Sequence, residues 1–185
     1  MRFNLTNSSI KGLKVIQRKP ICDDRGFLSR LYCQDDFKLM DVDKSIAQIN
    51  HTLTKKRGAA RGMHFQLPPF AETKIVSCLR GEIFDVAIDL RKGSPTFLKW
   101  HAEVLSAENQ KSFLIPEGFA HGFQTLTDDC ELLYLHTAPY SKEHERALNL
   151  ADKKLDIAWP LMITDLSDRD KSHEMIKDDF EGIDL

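Results

Sequence analysis

The chain has 185 residues, of which 42% are hydrophobic and 29% are charged, and its formal net charge is -2 at pH 7. This length fits one domain that buries a core without disulfides or a structural metal, so we expect a single domain over residues 1–185. The balanced charge lacks the basic field that nucleic-acid binding requires, and no segment has the apolar length of a signal peptide or a membrane span. We therefore predict a cytoplasmic protein with neither nucleic acid nor a membrane as a partner.

Strands are predicted throughout the middle of the chain, from Ser45 to Thr137, where short alternating runs are separated by turn signals. In EIFDVAIDL, residues 82–90, the apolar side chains at even positions share one face and the odd positions share the other. The run TFLKWHAEV, residues 96–104, alternates in the same way. No helix-length pattern interrupts this region. The pattern indicates an antiparallel all-β sandwich or barrel, most simply a jelly roll.

Helices are expected only near the ends of the chain. Ser167 followed three residues later by Asp170 resembles a capping box. Met175, Ile176 and Phe180 give the segment after it a weak apolar stripe. The predicted architecture is therefore all-β with short terminal helices.

Polar side chains share a face within otherwise apolar predicted strands at three places. The side chains are Gln48 and Asn50 in the first, Arg61, His64 and Gln66 followed by Lys74 in the second, and His121 and Tyr134 in the third. Taken singly, each has an ordinary interpretation as a solvated amide, a structural histidine or a buried aromatic ring. If they converge inside one barrel, they supply a base, an acid and cations for an anionic ligand.

Proton transfer is the chemistry that such a set favours. No serine or cysteine lies in a nucleophile motif, and neither GxGxxG nor a P-loop is present, so acyl transfer, hydride transfer and ATP chemistry are disfavoured. His64 is the candidate base for a C–H next to a ketone, and Lys74 would stabilise the enolate. Asp170 is either a carboxylate at a helix start or the partner that fixes the His64 tautomer. Tyr134 is the candidate acid on the opposite face of the enolate.

Six motifs occur in the order found in one known family. They are DDRGF at 23–27, QIN at 48–50, RGMHFQ at 61–66, DVAIDLRKGSPTF at 85–97, LIPEGFAHGF at 114–123 and LSDRD at 166–170. From about residue 10 to residue 170, the chain resembles the dTDP-4-dehydrorhamnose 3,5-epimerase family. The resemblance implies a homodimeric isomerase with a cupin-type double-stranded β-helix. It also implies that the enzyme needs no cofactor or metal and acts on a nucleotide-diphosphate-linked 4-keto-6-deoxyhexose.

The resemblance also implies a role for each matching residue. The chemical roles are the base for His64, its dyad partner for Asp170, the enolate-stabilising cation for Lys74 and the acid for Tyr134. Contacts to the sugar and diphosphate are implied for Arg61, His121, Gln48 and Asn50. Tyr140 matches an aromatic residue beside the nucleotide, and Arg25 of DDRGF belongs to the same binding surface.

One departure from the family concerns the nucleotide base. The family usually has an aromatic residue and a glutamate where this chain has Leu28 and Arg30. A guanidinium donates hydrogen bonds where a carboxylate accepts them, so Arg30 would contact a base differently. A GDP, CDP or UDP sugar is therefore an alternative to a dTDP sugar, unless a residue of the partner chain compensates. Epimerisation at C3 alone is an alternative to epimerisation at C3 and C5.

Two other functions are compatible with this fold. A metal-dependent cupin would use His64, Glu72 and His121 as ligands, but Gln66 stands where such proteins usually have a second histidine, and an amide is a poor ligand for these metals. A sugar-binding cupin without activity would need neither Tyr134 nor Lys74. The epimerase is the function that uses all of these residues.

Overall fold

A computed structural model describes residues 2–185. The strands are β1 (Phe3–Asn7), β2 (Lys14–Arg18), β3 (Ile21–Asp23), β4 (Gly26–Leu28), β5 (Gln48–Thr54), β6 (Ala60–Gln66), β7 (Lys74–Arg80), β8 (Glu82–Asp89), β9 (Trp100–Ser106), β10 (Lys111–Ile115), β11 (Phe119–Thr125), β12 (Cys130–His136) and β13 (Glu145–Ala147). The helices are α1 (Gln34–Lys38) and α2 (Asp168–Lys171).

Two antiparallel sheets form the body of the molecule. One sheet has six strands in the order β1-β2-β10-β7-β12-β5, and the other has five strands in the order β13-β6-β11-β8-β9. A separate two-stranded hairpin pairs β3 with β4. Apart from β1–β2 and β8–β9, the strands that are adjacent in each sheet are not consecutive in the chain, as in a jelly roll. The prediction of an all-β jelly roll is confirmed.

The alternation predicted for β8 is present, but both of its faces are buried. Ile83 and Ala87 belong to a core cluster that also contains β7, β10 and β12 side chains, so they lie between the two sheets. Val86 and Ile88 belong to a second cluster with apolar residues of the C-terminal segment, such as Leu155. The chain after β13 therefore covers the outer face of the five-stranded sheet.

The helices agree only partly with prediction. Helix α2 begins where the capping box predicts, because the hydroxyl of Ser167 accepts a hydrogen bond of 3.0 Å from the backbone N–H of Asp170. It ends at Lys171 after one turn, and the apolar residues expected to continue it lie in irregular chain. Ile176 nevertheless packs into the cluster outside the five-stranded sheet. Helix α1 lies between β4 and β5 rather than at a terminus, and it buries Phe37 against the six-stranded sheet.

The β3–β4 hairpin projects from the sheets. Each of its strand residues is exposed, including the apolar side chains of Ile21, Phe27 and Leu28. Across residues 2–185, the helices are too short and too polar for any of them to span a bilayer.

Candidate functional site

A cavity of about 240 Å³, here called the central cavity, lies between the two sheets. Eight of the predicted site residues line it, namely Gln48, Asn50, Arg61, His64, Lys74, His121, Tyr134 and Tyr140. His64, Arg61 and His121 come from the five-stranded sheet, whereas Lys74 and Tyr134 come from the six-stranded sheet. Arg61 and His64 also line an adjoining groove of about 590 Å³ that contains Lys55 and Arg169. The sequence therefore brings together polar groups that are far apart along the chain.

Two glycines bring the strands that carry the histidines close together. A Cβ atom added to Gly62 would lie 2.5 Å from the Cα of Gly122, and one added to Gly122 would lie 2.7 Å from the carbonyl oxygen of Arg61. Gly62 also has φ +134°, which side chains disfavour. With this close approach, β6 and β11 pair with His64 directly opposite His121. Both imidazoles thereby reach the same cavity.

His64 is paired with Asp170. Its Nε2 lies 2.7 Å from Oδ1 of Asp170, which is almost fully buried. Burial raises the pKa of Asp170, but the hydrogen bond and charge of His64 outweigh it, so the pKa lies below its ordinary value. An ionised carboxylate only accepts hydrogen bonds, so Nε2 of His64 carries the ring proton and donates the hydrogen bond to Asp170. The other ring nitrogen, Nδ1, is then unprotonated in neutral His64 and is available as a base.

Lys74 is held by a buried carboxylate. Its ammonium lies 3.1 Å from Oε1 of Glu72 and donates a 3.3 Å hydrogen bond to the carbonyl oxygen of His64. Burial raises the pKa of Glu72. The hydrogen bond of His136 and the charge of Lys74 lower it by more, so the pKa of Glu72 lies below its ordinary value. Glu72 is therefore an anion that fixes the ammonium of Lys74 beside His64.

A chain of hydrogen bonds continues from Glu72 along the wall of the cavity. The carboxylate of Glu72 lies 2.8 Å from Nδ1 of His136, and the amide nitrogen of Asn50 lies 3.3 Å from Nε2 of the same ring. An amide nitrogen only donates, so Nε2 accepts and Nδ1–H donates to Glu72. Gln48 donates to Asn50 at 3.1 Å and accepts from the backbone N–H of Tyr140 at 2.9 Å. The two predicted amides are thus held in fixed orientations.

Tyr134 lies between two imidazole rings. It stacks on His136 with 5.9 Å between ring centroids, and its edge meets His121 at 6.0 Å. Burial raises the pKa of Tyr134 strongly, and the nearby charge of Asp85 raises it further. The phenol is therefore protonated at neutral pH, which is the state that a proton donor needs.

His121 is paired with the fully buried Asp85. Nε2 of His121 lies 2.6 Å from Oδ1 of Asp85, and the second carboxylate oxygen has no hydrogen-bond partner among residues 2–185. Burial raises the pKa of Asp85 even though the charges of His121 and Lys74 oppose the increase. The arrangement parallels the His64–Asp170 pair on the neighbouring strand.

The mouth of the central cavity contains a second charged group. The hydroxyl of Tyr140 donates a 2.8 Å hydrogen bond to Oε2 of Glu145, and Arg169 pairs with the same oxygen at 2.5 Å. Glu145 therefore links Tyr140 to the helix that carries Asp170. Arg61 donates a weak 3.4 Å hydrogen bond to a backbone carbonyl and pairs with no carboxylate of residues 2–185, so it can meet an anion.

Arg25 and Arg30 are not part of the central cavity in the single chain. Arg25 lies in the turn of the exposed β3–β4 hairpin and pairs with Asp23 at 2.5 Å. Arg30 lies just after the hairpin and is 3.5 Å from Asp36. Neither side chain lines the cavity formed by this chain, so their predicted contact with a nucleotide remains a prediction.

Three side chains that hold the site together have no role in the prediction from sequence. They are Asp85, His136 and, as a partner of Lys74, Glu72. The available signal was a buried strand with a carboxylate at Asp85, on the face opposite its apolar even positions. The alternative ligand set of His64, Glu72 and His121 does not form a cluster, because among residues 2–185 the three side chains do not bring their ligand atoms within 4.8 Å of one another.

Comparison with known proteins agrees with this fold. The family model described as dTDP-4-dehydrorhamnose 3,5-epimerase matches residues 7–178. A protein of that name from Sinorhizobium fredii is 45% identical over 89% of this chain and 85% of its own length. A Bacillus anthracis dTDP-4-dehydrorhamnose 3,5-epimerase, solved with TDP and PPi bound, is 36% identical with a TM-score of 0.91, and covers 94% of this chain and 99% of its own.

A second solved relative was determined with a sugar nucleotide bound. The dTDP-6-deoxy-D-glucose-3,5-epimerase of Legionella pneumophila, in complex with dTDP-4-keto-L-rhamnose, is 37% identical with a TM-score of 0.89. The match covers 94% of this chain and 92% of that one. Such identity over nearly the full length establishes the relationship and confirms the cupin-type fold. The chain belongs to the dTDP-4-dehydrorhamnose 3,5-epimerase family.

Proposed function

We propose that this protein is an isomerase that inverts C3 and C5 of a dTDP-linked 4-keto-6-deoxyhexose, using only its own side chains. The observation that carries the proposal is that His64 and Tyr134 line one cavity from opposite sheets. Inversion needs a base on one face of a planar intermediate and an acid on the other, because return of the proton by the base alone restores the starting isomer. Family membership supports the same reaction.

In the first step, Nδ1 of His64 takes a proton from the carbon next to the C4 ketone. The C–H electron pair forms a C=C bond to C4, and the π electrons of the C4 ketone move onto its oxygen, which becomes the enolate oxygen. Asp170 stabilises the imidazolium that forms, since its carboxylate already accepts a hydrogen bond from Nε2 at 2.7 Å. The ammonium of Lys74 is the preformed cation for the developing oxyanion.

In the second step, Tyr134 gives its phenolic proton to the opposite face of the same carbon. The enolate electron pair forms the new C–H bond, and the C4 ketone returns. Burial keeps the pKa of Tyr134 high, so the phenol holds its proton until the enolate forms. Solvent then removes the proton from His64 and restores that of Tyr134, and the cycle repeats at the second carbon.

The remaining polar residues of the cavity suit a nucleotide-diphosphate sugar. Arg61 is a free cation at the junction of the central cavity and the adjoining groove, where a diphosphate would lie. Gln48, Asn50 and His121 offer oriented donors and acceptors for sugar hydroxyls. Tyr140 is half exposed at the mouth, where a nucleotide would contact its ring.

We further propose that the enzyme is a homodimer in the cytoplasm, the compartment in which nucleotide sugars are made. The β3–β4 hairpin exposes Phe27 (64%) and Leu28 (71%), and burial of such apolar side chains against a second copy would stabilise a dimer. Arg25 and Arg30 would then reach the nucleotide from the partner's side. Light scattering should give twice the mass of the chain, and a monomer would contradict this proposal.

Two measurements test the substrate. Incubation with a dTDP-4-keto-6-deoxyglucose in D2O should yield the L-sugar with deuterium at C3 and C5, and deuterium at C3 alone would indicate a 3-epimerase. No incorporation at either carbon would refute the proposed function. A thermal-shift series with dTDP, UDP, GDP and CDP should give the largest increase in Tm with dTDP, because a ligand that binds the folded state stabilises it. A larger increase with another nucleotide would indicate that the substrate carries a different base.

A further inference from the structure

His173 lies beside the proposed catalytic dyad but has no role in the reaction described above. Its Nε2 is 3.5 Å from Oδ1 of Asp170, the same oxygen that Nε2 of His64 approaches at 2.7 Å. The rings of His64 and His173 meet edge to face, with 5.9 Å between centroids. Two imidazoles from different parts of the chain therefore converge on one carboxylate oxygen.

The Nε2 atom of His173 is buried and makes no hydrogen bond with any group of residues 2–185. A buried polar atom without a partner costs free energy, so such an atom calls for an explanation. At 3.5 Å, its approach to Asp170 is too long to be a good hydrogen bond. A ligand held between His173 and Asp170 would satisfy this nitrogen.

The three ligand atoms, Nε2 of His64, Oδ1 of Asp170 and Nε2 of His173, all lie within 4.8 Å of one another. Zinc binds histidine nitrogen and carboxylate oxygen at about 2.0–2.2 Å, so the ligand atoms of a tetrahedral site lie about 3.3 Å apart. The two short pairs here, at 2.7 Å and 3.5 Å, bracket that separation. Side-chain adjustments of about 1 Å would complete the geometry. We propose that His64, Asp170 and His173 form a site for one divalent transition-metal ion such as Zn²⁺, and that this ion blocks the base.

An ion has a route to this site from solvent. His64 and Asp170 both line the adjoining groove, which is open to solvent, so water from the groove would be the fourth ligand of a tetrahedral ion. The ion would take the Nε2 lone pair of His64, and the ring proton would move to Nδ1, where it occupies the nitrogen that acts as the base. Zinc is then a reversible inhibitor and not a cofactor. Binding of the metal is independent of the proposed function, whereas the inhibition rests on it.

The test measures zinc affinity and epimerase activity separately. The metal-free protein is titrated with Zn²⁺ in competition with a chromogenic chelator, and product formation is followed across the same concentrations. We expect one zinc ion per chain, with activity lost in parallel with occupancy. His173→Gln replaces the imidazole with an amide of similar size that binds these metals poorly. This variant should bind zinc at least about tenfold more weakly and keep activity at zinc concentrations that inhibit the wild type.

His51→Ala is the matched control, because it removes a solvent-exposed imidazole on β5 that pairs with Glu131. It should bind zinc as the wild type does, and Tm values for all three proteins verify that they are folded. Unchanged zinc affinity in His173→Gln, or no binding by the wild type at micromolar zinc, would overturn the proposal. Binding with full retention of activity would overturn the proposal that the ion blocks His64, and exchange in His64→Ala tests the base itself.

Discussion

The carboxylate of Asp170 determines which nitrogen of His64 is free to act. Its Oδ1 accepts a 2.7 Å hydrogen bond from Nε2–H of His64, and this leaves Nδ1 as the basic nitrogen. Asp170 is also held by its own helix, since its backbone N–H is bonded to Ser167. A capping motif that looks purely structural in the sequence therefore positions a charge beside His64.

Asp170→Asn should lower kcat by roughly 10²- to 10³-fold and leave KM within a few-fold of the wild type. The amide has nearly the same shape, but it cannot stabilise the imidazolium by charge. Steady-state kinetics on the dTDP sugar measure the effect. Asp168→Asn is the control, because Asp168 lies in the same helix turn with its side chain in solvent. Equal losses in both variants would show that the helix, and not the charge at position 170, is responsible.

The residues of the site differ in how well the sequence predicts them. His64, Lys74 and Tyr134 stand out because each is a polar side chain in an otherwise apolar strand. Asp170 is 106 residues from His64, so the residues alone left two interpretations of it open, and the resemblance to a family favoured the pairing with His64. Asp85 and His136 remained unassigned, because alternation along one strand does not tell which face of a doubly buried sheet meets a cavity.

The connection between β8 and β9 is organised by one buried carboxylate. Asp89 accepts hydrogen bonds from the backbone and guanidinium of Arg91 and from the hydroxyls of Ser94 and Thr96. These residues belong to the motif DVAIDLRKGSPTF, which sequence similarity alone marks as characteristic. Its second half is therefore structural, since it fixes the loop that starts β9.

Asp89→Asn should destabilise the protein by about 1–2 kcal/mol at pH 7, and the deficit should shrink as the pH falls. Burial raises the pKa of Asp89, but the hydrogen bonds from Arg91, Ser94 and Thr96 lower it to about 2, compared with an ordinary 3.8. The charged form is thus favoured by folding. Its contribution is complete above about pH 4 and is lost as the pH falls from about 4 to about 2.

Urea denaturation of the wild type and Asp89→Asn at several pH values measures this difference. The free energy of unfolding should decrease more steeply with acid in the wild type, so that the two proteins converge at low pH. A constant difference from pH 7 to pH 3 would show that the loss comes from packing or from geometry, and not from the ionised carboxylate.

At the scale of the whole molecule, the C-terminal segment is part of the core. After β13, the chain crosses the outer face of the five-stranded sheet and buries Leu155, Ile176 and Ile183 against Val86 and its neighbours. The same segment carries Asp170 to His64 and His173 to Asp170. The segment that covers the five-stranded sheet therefore also completes the site.

Ile176→Ala should destabilise the protein by about 2–4 kcal/mol, because it removes a buried side chain and leaves a cavity in this cluster. Met175→Ala is the control, since Met175 is the adjacent residue and is 54% exposed. The control should change the free energy of unfolding by no more than about 0.5 kcal/mol. Thermal or urea unfolding measures both variants, and a large loss in Met175→Ala alone would contradict the assignment of the buried face.

The sequence predicts strands of the two sheets better than it predicts the C-terminal segment that covers the five-stranded sheet. Alternation in β8, and in the part of the run at 96–104 that forms β9, indicated two-faced strands correctly, since this pattern depends only on the period of a strand. The first part of that run was predicted wrongly, because residues 96–99 precede β9 in a turn where Leu98 has φ +59°. The C-terminal cover was not predictable, because Met175, Ile176 and Phe180 have the spacing of a weak helix while the chain there is irregular. The path of the C-terminal segment is determined by its contacts with the five-stranded sheet, and these contacts cannot be predicted from the local sequence.

Proton exchange in the Tyr134→Phe and His64→Ala variants tests most directly whether a base and an acid act from opposite faces. With a dTDP-4-keto-6-deoxyhexose in D2O, Tyr134→Phe should still exchange the substrate C–H, because His64 can remove the proton and return a deuteron to the same face, while formation of the epimer falls by about 10²-fold or more. His64→Ala should lose both exchange and product. Equal loss of exchange and product in Tyr134→Phe, or exchange near the wild-type rate in His64→Ala, would contradict the account.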